Sequence, residues 1–140
     1  MRRGQLAAFG AIVALGACAG GDIHVPVAVE PEVLWLPDMY NGSIEIEGDP
    51  VPSTLRIHQV GSALTSRMTA SDIGMTADGA GTVDGSNVEL TMAYGVGCSG
   101  TARLVGRVAK TTFLYAGRII ASDCTGDVEG SFSFTPDRSR

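Results

Sequence analysis

From Tyr40 onward apolar and polar residues alternate, the two-residue period of strands with one covered face. The alternation predicts eight strands. The first is 40–47, with Gly42, Ile44 and Ile46 on one face, and Asp49-Pro50-Val51-Pro52 is expected to break it. The second, 54–60, turns Leu55 and Ile57 inward. The third, 62–69, turns in Leu64 and Met68. The fourth lies between Ile73 and Val83, with Asp78-Gly79 read as a turn pair able to split it. Asp84-Gly85-Ser86-Asn87 is a further turn. The fifth strand, 88–94, points Val88, Leu90, Met92 and Tyr94 inward; 101–109, 112–121 and 127–135 complete the set before Pro136. Short turns imply sequential antiparallel pairing, and closing such a meander hides its edges. The fold class expected is therefore all-β, an antiparallel meander of about eight strands closing into a small barrel. A β-sandwich is the alternative.

Glycines sharpen this picture. Gly42, Gly106, Gly117 and Gly130 share the parity of the apolar face in their strands. A hairpin turning at Lys110-Thr111 would set Gly106 opposite Tyr115 and Gly117 opposite Leu104. Large side chains over cross-strand glycines permit strong curvature. The same register sets Cys98 opposite Asp123, so an irregular end is expected there. These glycines either let a narrow barrel close on its own side chains or open space for a ligand, and the first reading is preferred.

The first forty residues follow a different pattern. Arg2 and Arg3 precede an apolar run from Leu6 to Ala17, too short to span a bilayer and suited to a secretory signal. Leu15-Gly16-Ala17-Cys18 then resembles the lipobox of bacterial lipoproteins. The resemblance implies cleavage before Cys18, a diacylglyceryl group on its thiol, and further acylation of the new N-terminus. Ala17-Cys18-Ala19 also reads as an ordinary signal cleavage site. Ala19 after the cysteine, by analogy, favours the outer membrane where there is one. Residues 1–17 are thus assigned as signal peptide in helical form, 18–39 as lipidated Cys18 with an extended tether, 40–136 as the barrel and 137–140 as a tail. The tether is interrupted by Pro26, Pro31 and Pro37, and its apolar Val33-Leu34-Trp35-Leu36 is expected to bring Trp35 down onto the domain.

With Cys18 assigned to lipid, Cys98 and Cys124 remain as an even pair in an oxidising compartment, and a disulfide between them is expected. Two buried free thiols or a metal site are the alternatives, and no histidine lies near enough in sequence to complete a zinc site.

Charge narrows the partners. The net charge is −5, and losing Arg2 and Arg3 with the signal makes it −7. Such a chain is not expected to bind nucleic acid, which needs clustered cations, nor to adhere to anionic lipid through a basic patch. Membrane attachment is expected from the anchor.

Candidate chemistry is sparse. His58 falls on the polar face of the second strand beside Arg56, and no Gly-x-Ser-x-Gly elbow accompanies it. Asp22 and His24 are too few to hold a metal. Glu45, Glu47, Asp127 and Glu129 share the polar parity of the first and last strands; a solvated face is the plainer reading, a divalent cation the alternative. Arg103, Arg107 and Arg118 point outward, with Asp127 and Glu129 as partners. The seventh strand is apolar on both faces. Leu114 and Ile120, with Val105, are expected either to form an exposed interface patch or to be covered by Val33-Leu34-Trp35. No cofactor and no metal are expected, and no enzymatic activity.

The glycine-punctuated meander, Cys124-Thr125-Gly126 near its end and Gly130-Ser131-Phe132-Ser133-Phe134 resemble small calycin-like barrels of bacterial lipoproteins over residues 40–135. The Gly-x-Trp that lipocalins carry near their first strand is absent. The resemblance implies a cell-envelope lipoprotein, held to the membrane by its lipid, whose non-enzymatic domain binds another envelope component. One alternative is a carrier of small apolar ligands, its cavity lined by Leu55, Leu90, Met92, Tyr115 and Phe132. Another is an inhibitor of extracellular hydrolases, acting through Tyr94-Gly95-Val96-Gly97.

Overall fold

The structure, a computed structural model, describes residues 33–139. The signal segment, Cys18, Asp22 and His24 lie outside the described residues. Eight antiparallel strands follow one another: β1 (Met39–Ile46), β2 (Asp49–Val60), β3 (Ala63–Ala70), β4 (Met75–Asp84), β5 (Asn87–Val96), β6 (Cys98–Val108), β7 (Tyr115–Asp123) and β8 (Gly126–Pro136). Each pairs with the next, and β1 pairs with β8, so the sheet is a closed barrel. One 3-10 turn, Ser71–Ile73, joins β3 to β4.

The barrel is strongly staggered. Hydrogen-bonded partners of Tyr40 run through Leu55, Met68, Ala77, Tyr94, Gly100 and Asp123 to Gly126, yet β8 meets Tyr40 at Pro136, ten residues further on. Closure with such a stagger requires strands tilted by about 35–45° to the axis.

Alternation sets the inner face. Tyr40, Leu55, Met68, Leu90, Leu104, Tyr115 and Phe134 are fully buried, and one cluster joins inward residues of all eight strands. Inward glycines face large side chains on neighbouring strands: Gly42 opposes Phe134, Gly79 opposes Met92, Gly81 opposes Leu90 and Gly117 opposes Phe132. A Cβ on Gly117 would lie 2.1 Å from the Val105 carbonyl oxygen and 2.5 Å from Gly106 Cα. The backbones approach because nothing stands between them.

Four expectations are corrected. Asp49-Pro50-Val51-Pro52 does not interrupt a strand but opens β2. β2 meets β3 only from Thr54, so residues 49–53 have β1 as their one partner strand. Pro50 and Pro52 share a parity, and both missing N–H groups fall on the unpaired side, where a strand tolerates proline. The reversal before them is Glu47-Gly48, both at positive φ (56° and 85°), the geometry of a two-residue hairpin. Asp78-Gly79 does not split β4, because Gly79 lies against the β5 backbone and Asp78 pairs with Arg67.

The β6–β7 register is two residues away from expectation. Ala109 and Leu114 close the hairpin, with Ala109 N donating to Leu114 O and Phe113 N to Ala109 O. The loop thus holds four residues, with Phe113 at φ 61°, rather than two. Gly106 faces Gly117, and Leu104 faces Ile119. Parity survives the shift, so the inner face is unchanged.

Trp35 does not dock. Val33, Leu34 and Leu36 pack against the core, whereas Trp35 is 63% exposed. The segment comes to rest at one end of the barrel, near Gly85, Lys110 and Phe113, and not over Val105 and Ile120.

Gly117→Ala places a Cβ where backbone already stands. It is expected to lower stability by roughly 1–3 kcal/mol or more, as overpacking does, which urea denaturation followed by circular dichroism measures.

Candidate functional site

The five residues considered for a ligand cavity do come together. Leu55, Leu90, Met92, Tyr115 and Phe132 are each at most 3% exposed, inside the same cluster. They pack against one another and their neighbours. Tyr115 and Phe132 meet edge to face with ring centroids 4.6 Å apart, and Phe132 and Phe134 are 5.8 Å apart. The Tyr115 hydroxyl reaches the backbone of two other strands, donating towards the carbonyls of Val88 (3.2 Å) and Leu104 (3.5 Å). Burial pushes this hydroxyl well above the ordinary tyrosine range. The interior is thus crossed by aromatic rings, and the surface depressions around the described residues are lined by other side chains.

Two buried hydroxyls, Tyr40 Oη and Ser66 Oγ, have no hydrogen-bond partner among the described residues. Burial alone raises the Tyr40 pKa. An orphaned hydroxyl destabilises, whereas one bonded as Tyr115 is stabilises.

The apolar residues considered for an interface do not form one patch. Val105 and Ile120 are diagonal neighbours on the outer face, because Val105 pairs with Arg118 and Arg103 with Ile120. Ion pairs Arg103–Glu89 and Arg118–Glu129 flank them, and both residues are half-buried. Leu114 lies six positions from Ile120, about 20 Å along an extended chain, beside Arg107, Lys110 and Ala116. The expectation of a continuous patch is corrected: antiparallel pairing sets an arginine opposite each of the two strand residues.

The acids on β1 and β8 do not converge. Glu45 opposes Ser131, whose hydroxyl lies 3.4 Å away, Asp127 opposes Ser122, and Glu129 binds Arg118. Glu47 sits in the turn. His58 is exposed opposite Thr65 and makes no hydrogen bond to a carboxylate among the described residues.

The disulfide expected from the sequence is present, and it borders a side-chain network around Asp123 that sequence reasoning missed. Cys98 and Cys124 form a disulfide, with Cα atoms 6.1 Å apart, just past the last β6–β7 pair, Gly100 with Asp123. It ties the β5–β6 connection to the β7–β8 turn. Asp123 accepts bonds from the Thr125 hydroxyl (2.6 Å) and backbone N–H (2.8 Å), and the Tyr94 hydroxyl lies 3.3 Å from it. The Thr125 donors hold the Asp123 carboxyl below its usual range, while burial and then Asp123 itself push Tyr94 up. The Tyr94 ring lies over Gly100 on the next strand. The two cysteines and Tyr94-Gly95-Val96-Gly97 marked this end in the sequence, although residues 94–96 belong to β5 and form no protruding loop; Tyr94 and Asp123 meet through two strand registers.

Around this network the four turns at the same end carry Glu47, Asp49 and Asp72, and no lysine or arginine. Ile73 and Val96, each 43% exposed, stand among them. This end is acidic, partly apolar and covalently pinned. No family model, curated protein or solved structure matches the chain. The small antiparallel barrel is consistent with a calycin-like fold and compatible with a domain that binds a ligand or a partner.

Replacing both Cys98 and Cys124 by serine is expected to lower stability by about 3.5 kcal/mol in the chain-entropy account, read from oxidised and substituted proteins in guanidinium. The two core tyrosines should respond oppositely. Tyr115→Phe loses its backbone bonds and should cost about 1 kcal/mol, whereas Tyr40→Phe removes an orphan and should leave stability equal or higher; urea midpoints compare them.

Proposed function

We propose that this chain is a membrane-tethered, non-enzymatic interaction module of the cell envelope, anchored through lipid on Cys18. The observation that carries the reading is the filled interior. Tyr115 and Phe132 occupy the position a carried apolar molecule would need, so recognition falls to the outside of the barrel. There, the side wall over β6–β7 is broken up by ion pairs, which favour solvation.

The disulfide-pinned end offers more. Its loops need little ordering on binding, since the Cys98–Cys124 link and the Asp123 network already restrain them. Exposed Ile73 and Val96 supply apolar contact, and the surrounding carboxylates favour a partner bearing basic residues. The described chain enters the barrel at the opposite end, so a tether would join the barrel away from this one.

Photo-crosslinking residues placed at Ile73 and Val96 in the lipidated protein, in its native host, are expected to capture one envelope protein, with Val105 and Ile120 giving none. Recovery instead of a stoichiometric apolar small molecule from the purified barrel would overturn the reading in favour of a carrier.

A further inference from the structure

Of the large apolar side chains left exposed among the described residues, the two most exposed, Val60 at 67% and Trp35 at 63%, stand at the end where the chain enters. Gln59 joins them. Its side-chain carbonyl accepts from Leu36 N (2.9 Å), and its amide nitrogen donates to Leu34 O (2.9 Å) and to Gly61 O (2.9 Å). The Gln59 amide therefore grips the backbone on both sides of Trp35. Leu34 and Leu36 lie against the core, and the extended chain turns the residue between them outward. An indole left to collapse would have covered apolar surface. Here it stays largely in solvent.

The surroundings suit a bilayer interface. Trp35 borders a depression of about 340 Å³ whose lining includes Gly85, Lys110 and Phe113. An indole, an exposed valine and a lysine combine the apolar body and polar rim favoured at headgroup depth. Residues 19–32 separate Cys18 from Val33, a stretch reaching at most roughly 50 Å when fully extended. A lipid on Cys18 would hold this end beside the membrane at high effective concentration, where one aromatic side chain is enough to bias orientation.

We infer that Trp35, held outward by Gln59, docks the entry end of the barrel into the phospholipid interface, so that the disulfide-pinned end faces away from the bilayer. The inference rests on the tethered reading above. It adds a second contact to the lipid itself, and it needs no anionic lipid, in keeping with the acidic chain.

Trp35 is the sole tryptophan of the sequence, so fluorescence excited at wavelengths beyond tyrosine absorption reports this residue alone. The test takes the chain from Cys18 to Arg140, with the Cys98–Cys124 disulfide intact. The barrel closes within Met39–Pro136, so this chain carries it whole. Cys18 is coupled to a maleimide phospholipid in phosphatidylcholine vesicles. Coupling is expected to shift Trp35 emission to the blue, and brominated acyl chains to reduce that emission to roughly half, as for a side chain at interface depth. Gln59→Ala, with the barrel intact by circular dichroism, should weaken that quenching. Emission and acrylamide quenching unchanged by coupling would overturn the inference. So would a blue shift without bromine quenching, which would mean that protein and not lipid covers the indole. Because the lipid is attached chemically, this result is independent of native acylation, which labelled palmitate incorporation at Cys18 tests separately.

Discussion

A sheet whose first strand pairs with its last has no row of unpaired N–H and C=O groups, but it encloses a space of set width that side chains must fill. In this barrel the stagger around the ring tilts the strands and brings neighbouring backbones close. The inner face answers with size complementarity: glycines on β1, β4 and β7 stand opposite Phe134, Met92, Leu90 and Phe132. Each small residue makes room for a large one. Most of the stability should come from this close-packed apolar interior, with its 20–30 cal/mol per Å² of buried surface. The Tyr115 hydroxyl adds a polar link between β7 and the backbones of β5 and β6.

A filled interior leaves the outside of the barrel as the surface open to a partner. On the wall, paired strands set arginine beside Val105 and Ile120, and the diagonal carboxylates complete a charged lattice around two half-buried aliphatics. That arrangement keeps the wall soluble and gives a partner little to hold. The two ends differ from it and from each other. One is pinned by a disulfide and an aspartate network amid Glu47, Asp49 and Asp72. The other receives the incoming chain and displays Trp35 beside Gln59 and Lys110. Because an even number of antiparallel strands returns the chain to the end it entered, both termini of the barrel lie at the Trp35 end. The acidic end lies opposite both termini of the barrel.

Much of the fold was legible because closure of a meander depends on local properties. The two-residue alternation marked strands and inner faces, and glycine-bearing turns marked most of the reversals. Cys98 and Cys124 stood out as a pair. Boundaries were less legible where the local signal has two meanings. Proline reads as a strand breaker until it is known which side of the strand lacks a neighbour, as for Pro50 and Pro52. Asp-Gly reads as a turn until another backbone occupies the missing Cβ position, as at Gly79.

The sequence by itself determined the all-β class, the parity of the strands other than β4 and the cysteines available for a cross-link; class and parity follow from side-chain polarity at a period of two. Tertiary structure alone decided the register between strands. It therefore decided which glycine meets which aromatic ring, that Tyr94 reaches Asp123, and that Val105 and Ile120 are separated by charge. It also decided that Trp35 is displayed, because hydrogen bonds from a glutamine more than twenty residues away overrule the apolar preference of the segment. A pairing register is a relation between distant segments, and hydrophobic periodicity along one segment carries no information about it.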